Sequence, residues 1–193
     1  MSTALISVMI VAFQVTQPAP TTDVTACAVD VSSQIARPWP DFEFSTETPG
    51  GPMWLAGRGC YRAAAVISRE YLAKGQPLSV REQAITQLHM ARNWAYSGDE
   101  KAAAQAAASA RRSDLRTDQE IPLDWNSYVQ GLYAFLVKDR VLLDDNLRRL
   151  TTSGRQGDAL NGRNLAALAN CFDRPYVEAM TDTVCWAVPP VSP

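Results

Sequence analysis

The chain has 193 residues, 47% of them hydrophobic and 20% charged, and 18 basic against 20 acidic side chains leave a net charge of −2. That composition excludes a disordered or collagen-like chain and is enough for one domain with a real core. A pI near 5.4 and the lack of any polybasic run argue against nucleic acid and against an anionic membrane surface as partners.

Ala4 to Phe13 is an uncharged apolar run, well short of the roughly 20 residues a membrane-spanning helix needs. It has the length of a signal-peptide hydrophobic region, so residues 1–20 are read as a signal peptide. No Lys or Arg precedes the run, and Pro18 and Pro20 blur the cleavage position. Val24-Thr25-Ala26-Cys27 is similar to a bacterial lipobox. Thr16 to Asp23 separate it from the apolar run, however, so neither a membrane span nor a lipid anchor at Cys27 is expected.

Four cysteines, Cys27, Cys60, Cys171 and Cys185, form no C-x-x-C pair, and the single histidine, His89, is far from all of them in sequence. Zinc ligands normally come at short spacing, so no metal site is expected. In an exported chain the even count reads as two disulfides. Three connectivities are open. Cys27–Cys60 with Cys171–Cys185 is preferred, because each bond would tie a non-helical tail to a helix end. Together the apolar run and the cysteines predict a periplasmic or secreted protein.

Residues 21–56 are rich in proline and glycine and carry Trp39, Phe42, Phe44 and Trp54. They read as an extended arm whose aromatics pack on a helical body, with a short strand allowed by the alternation of Asp41 to Ser45. An aromatic-lined ligand site is the alternative for this stretch.

Residues 57–188 read as the helical-hairpin domain, and residues 189–193 as a tail. The helix after Cys60 keeps Ala64, Ala65, Ile67, Ser68 and Tyr71 on one face and ends at Gly75. Ser79-Val80-Arg81-Glu82 fits a capping box that opens a helix with Ala84, Leu88, Ala91 and Ala95 along one stripe. Ser97-Gly98-Asp99 interrupts it, and an alanine-rich helix follows from about Glu100 to Arg112. Pro122 suits the first turn of the next helix, which carries Trp125, Tyr128, Leu132, Phe135 and Leu136. Lys138-Asp139 breaks it, and Val141, Leu142, Leu147 and Leu150 mark its partner. A polar link over Thr151 to Gly157 leads to a helix with Leu160, Leu165, Leu168 and Phe172, and Asp173-Arg174-Pro175 starts a short last helix. The expected fold class is all-α, about seven helices in antiparallel hairpins, as in a fragment of an α-solenoid.

Breaks at Asp99, Asp139 and Asp173 suggest a helical-hairpin repeat. Over about Ala84 to Arg112 the chain resembles a tetratricopeptide repeat. Ala91 stands at the small position of the first helix, Trp94 at the aromatic one and Gly98-Asp99 at the turn. Ala103, Ala107 and Ala110 take the small positions of the second helix. Gln87 departs from the pattern, where the family usually has an aromatic. In the next hairpin Gly131 is suitably small, but Ser127 and Gln130 fall where apolar residues belong. The resemblance implies a partner protein or peptide and no cofactor.

No G-x-S-x-G elbow, H-E-x-x-H pair or glycine-rich phosphate loop occurs. His89 has no nucleophile at a recognisable spacing and reads as a histidine at the edge of an apolar face. Glu70, Glu82, Glu100, Glu120 and Glu178 are in principle available for carboxylate chemistry on a glycan, but nothing selects among them. No catalytic, cofactor or metal residue is therefore assigned. The leading expectation is an exported binding or scaffold module using Arg92, Tyr96, Asn126 and Tyr133. A cell-envelope glycan hydrolase or lyase and a secreted inhibitor or immunity-type protein are the alternatives.

Overall fold

The structure, a computed structural model, describes residues 27–114 and 123–187. The signal-peptide reading, the residues before Cys27 in the lipobox-like stretch, Glu120, Pro122 and the tail lie outside them. The described residues form helices joined by turns and contain no strand.

The residues read as an extended arm fold instead as three short helices, α1 (Val31–Ile35), α2 (Trp39–Phe44) and α3 (Pro52–Ala56). Prolines open the last two of these helices, while Asp30 caps α1. Pro40 lies in the first turn of α2 and Pro52 opens α3, positions where the missing N–H has no intrahelical partner to lose. The Asp41 to Ser45 alternation is accordingly the end of α2 and not a strand. The aromatics do pack inward, as expected. Phe42 is stacked on Tyr71 with ring centroids 3.9 Å apart, in a small core with Leu55, Ala64 and Ile67.

Seven longer or comparable helices follow: α4 (Tyr61–Lys74), α5 (Val80–Tyr96), α6 (Glu100–Ser109), α7 (Trp125–Leu136), α8 (Arg140–Thr152), α9 (Gln156–Asn170) and α10 (Tyr176–Thr181). A 3-10 turn over Thr183–Trp186 ends the described chain. Consecutive helices from α4 to α9 pack side by side, except that α9 also reaches α7, so the hairpins stack in chain order. The capping box is formed, with the Ser79 Oγ accepting from Glu82 N and the Glu82 carboxylate accepting from Ser79 N. The link between α8 and α9 is shorter than the sequence indicates, because α8 runs on to Thr152 and α9 begins at Gln156. Two stripe residues also fall elsewhere. Val141 and Leu160 are 74% and 64% exposed, while Leu143 and Leu165 fill the core.

Three interhelix turns share one design. Cys60 N donates to Leu55 O, Asp99 N to Trp94 O and Asp139 N to Ala134 O, the long hydrogen bond of a Schellman motif. The residue before each donor has a positive φ: Gly59 (74°), Gly98 (84°) and Lys138 (58°). At the latter two turns the donor's own carboxylate then caps the next helix, Asp99 on Ala102 N and Asp139 on Leu142 N. One aspartate thus ends one helix and starts another, which keeps the hairpins tight.

Both disulfides form with the preferred connectivity, Cys27–Cys60 and Cys171–Cys185. The sulfur of Cys27 is thus committed to Cys60 and unavailable for a thioether. Such bonds belong to a chain that folds in an oxidising compartment. Among the described residues no helix is long and apolar enough to cross a membrane.

Candidate functional site

A cleft of about 180 Å³ opens on the seam where α2 and α3 lie against α4 and α5. Its floor is set by an inward-facing acid. Glu43, in α2, is only 1% exposed. A buried carboxylate needs hydrogen-bond partners, and it has two. Thr86 Oγ1 donates to Glu43 Oε2 at 2.8 Å, and His89 Nδ1 lies 2.6 Å from Glu43 Oε1. The direction of this chain is fixed at its far end. Trp39 Nε1 can only donate, and it does so to Thr86 Oγ1 at 2.9 Å. The threonine proton is therefore free for Glu43, and Oε2 is an acceptor. With the carboxylate ionised, Nδ1 carries the proton shared with Oε1, and Nε2 is the ring nitrogen left for other partners. The His89 side chain is 27% exposed at the cleft, with the Phe44 ring near perpendicular to it, centroids 6.2 Å apart.

Helix periodicity brings three more cleft residues from α5: Arg92, Asn93 and Tyr96. Tyr61 joins them from the start of α4, stacked on Tyr96 at 4.8 Å. The opposite wall is apolar and comes from Pro52, Met53 and Ala56 of α3. The Arg92 guanidinium sits among phenols, close to Tyr128, Tyr176 and Tyr96. Tyr128 contributes most to holding Arg92 protonated beyond its ordinary range, against the desolvation that opposes it. Burial in turn raises Tyr176 well above the usual phenol range. Among the described residues no carboxylate lies within 4.0 Å of Arg92, and its Nε is buried without a partner. Asn93 is 7% exposed, and its amide makes no hydrogen bond to any described residue. It faces the cleft instead.

Of the four binding residues expected from sequence, Arg92 and Tyr96 come together here. Asn126 does not. Its amide accepts from Arg112 N and donates to Arg112 O, bracing the chain that leaves α6. Tyr133 lies apart, beside Arg111 and Gln130 in a separate depression between α6 and α7. Glu43, His89, Asn93 and Tyr61 were not singled out as binding residues. Glu43 and His89 stand 46 positions apart, a pairing that no local spacing reveals.

Chemically, the cleft offers one compensated buried carboxylate, one imidazole nitrogen, one cation and several neutral hydrogen-bonding groups. Four of the five carboxylates weighed from sequence are described, and they lie elsewhere: Glu70 pairs with Lys74, Glu82 caps α5, Glu100 accepts from Tyr176 N and Glu178 is exposed. Glu43 is the single carboxylate among the cleft's lining residues, whereas glycosidases of the usual design set two carboxyls about 5–9.5 Å apart. Among the described residues no group of acids, histidines and cysteines is arranged to hold a metal ion. Comparison of the chain with protein-family models, curated proteins and solved structures gave no match.

Proposed function

We propose that this chain is an exported helical binding module, working in the periplasm or outside the cell, that engages a protein or peptide partner through the cleft on α5. The observation that carries this reading is the buried Arg92 Nε, which has no hydrogen-bond partner at the opening. Native proteins leave buried polar atoms unpaired only rarely, and the Asn93 amide beside it faces the same cleft. A partner that fills the cleft would reach both. The two disulfides and the short apolar run near the amino terminus support export. The stacked hairpins and the tetratricopeptide-like stretch support a role in binding.

The test is fluorescence anisotropy of the oxidised chain against a library of short peptides with varied ends and side chains. Peptides that bind should lose affinity in Asn93→Leu and Tyr96→Ala and keep it in Tyr133→Ala. Binding that survives both cleft substitutions and fails in Tyr133→Ala would refute the assignment. Export has its own check. The secreted protein should begin after residue 20, and mass spectrometry should find no free thiol.

The buried acid gives the glycan-cleaving reading one specific support, since Glu43 bonded to His89 at a cleft resembles a catalytic acid more than any surface glutamate does. Zymography on peptidoglycan tests it: activity would have to be present and vanish in Glu43→Gln.

A further inference from the structure

The polar groups of the cleft are unequally partnered, and the difference points to the chemistry of its ligand. Both Glu43 oxygens have hydrogen-bond partners in His89 and Thr86. Arg92 is less fully partnered, with Nε buried and unbonded. Its surroundings are the phenol groups of Tyr128, Tyr176 and Tyr96, which are neutral and do not form an ion pair with it. A cation withdrawn from water without a counter-ion is an unfinished ion pair. We infer that the cleft takes a compact monocarboxylate, its carboxyl group meeting Arg92 and the Asn93 amide and its short apolar body lying against Pro52, Met53 and Ala56. This rests on the proposal that the cleft is the binding site.

Three features select this class. The single guanidinium, with an unbonded Nε and no acidic partner among the described residues, matches one carboxyl group. The apolar wall of Pro52, Met53 and Ala56 suits the short body of an organic acid and offers no partner to a second anionic oxygen. Finally, the volume of about 180 Å³ equals about six waters at roughly 30 Å³ each, enough for one small residue or organic acid and too little for a sugar chain. The shared chemistry can come from a free organic acid or from the carboxyl end of a peptide.

Calorimetric titration of the oxidised full chain separates these cases. N-acetylalanine should bind saturably, and its neutral amide about tenfold or more weaker, the loss expected for one charged contact. Asn93→Asp, which sets a like charge in the cleft, should abolish binding of the acid. Arg92→Met should do the same, with circular dichroism confirming that each variant is folded. If the amide binds as tightly as the acid, or inorganic phosphate binds more tightly, the monocarboxylate assignment is overturned. If N-acetylalanine does not bind while library peptides still occupy the cleft, the assignment fails and the binding site stands. If nothing binds, both fail. A tripeptide ending in alanine that binds more tightly than N-acetylalanine would support the carboxylate and identify a chain end as its source. Equal or weaker binding would support it and identify a free acid.

Discussion

Thr86 serves two buried groups with one hydroxyl, accepting from the Trp39 indole and donating to Glu43. The residue is fully buried, so no water replaces it. Thr86→Val keeps the shape and removes both bonds, leaving an indole N–H and a carboxylate oxygen without partners. Such groups cost about 1–3 kcal/mol each in a buried setting. Urea denaturation of this variant should therefore show a loss of at least about 1 kcal/mol, larger than a surface substitution gives. An unchanged midpoint would mean that the chain from Trp39 to His89 does not form. Thr86 and His89 both lie on α5, one turn apart, and their periodicity is visible in the sequence. Their partners Trp39 and Glu43 are not, because they come from a segment over 40 positions away that carries no helical period of its own.

At the scale of the element, close approach and turn design decide the packing. A Cβ built on Gly131 would sit 2.2 Å from Leu165 Cδ1, so an alanine here requires the fully buried Leu165 side chain to shift. Gly131→Ala should destabilise the chain by about 1–3 kcal/mol through overpacking. Thermal melts of the double variant with Leu165→Ala should show less than the sum of the two losses, because the contact is shared.

Lys138 presents a different balance. Its positive φ is unfavourable for a side chain, yet its Nζ donates to the carbonyls of Phe172 and Arg174 at 2.9 Å each and lies over the Phe135 ring. Lys138→Met loses the anchor and keeps the strain, whereas Lys138→Gly loses the anchor and relieves it. Melting temperatures should therefore fall in the order wild type, Lys138→Gly, Lys138→Met. The turns around Gly98 and Lys138 were legible as breaks, and the capping box and the small residue at Gly131 could also be read from sequence. The helices α1 to α3 could not. Helices of five or six residues hold too few turns to show a period, and their prolines look like breakers unless the first turn is recognised.

Across the whole molecule, the disulfides secure the two ends of the fold to its body. Cys171 and Cys185 are separated by 14 positions, a closure worth about 3 kcal/mol in the chain-entropy model. Replacing both with serine should lower the unfolding free energy by an amount of that order. Acid acts through a different set of groups. The Ser79 backbone N–H, followed by its hydroxyl, lowers the Glu82 carboxyl. Lys74 lowers Glu70, Arg112 lowers Asp114, and the Val184 N–H with Arg174 lowers Asp182. Each carboxyl stabilises the fold above its unfolded value and ceases to do so as pH falls through the lowered folded value. Melting temperature should therefore be insensitive to these groups above pH 4.5, the ordinary glutamate value, and decline below it, less steeply in Glu82→Gln.

The central claim is that binding occurs at the α5 cleft, and the side-chain amide of Asn93 reports on it directly. In nitrogen-15 spectra of the oxidised chain, this signal should move saturably as a binding peptide is added, together with the signals of His89 and Tyr96. A peptide that binds while Asn93 stays fixed and the signals around Arg111 and Tyr133 move instead would contradict the account.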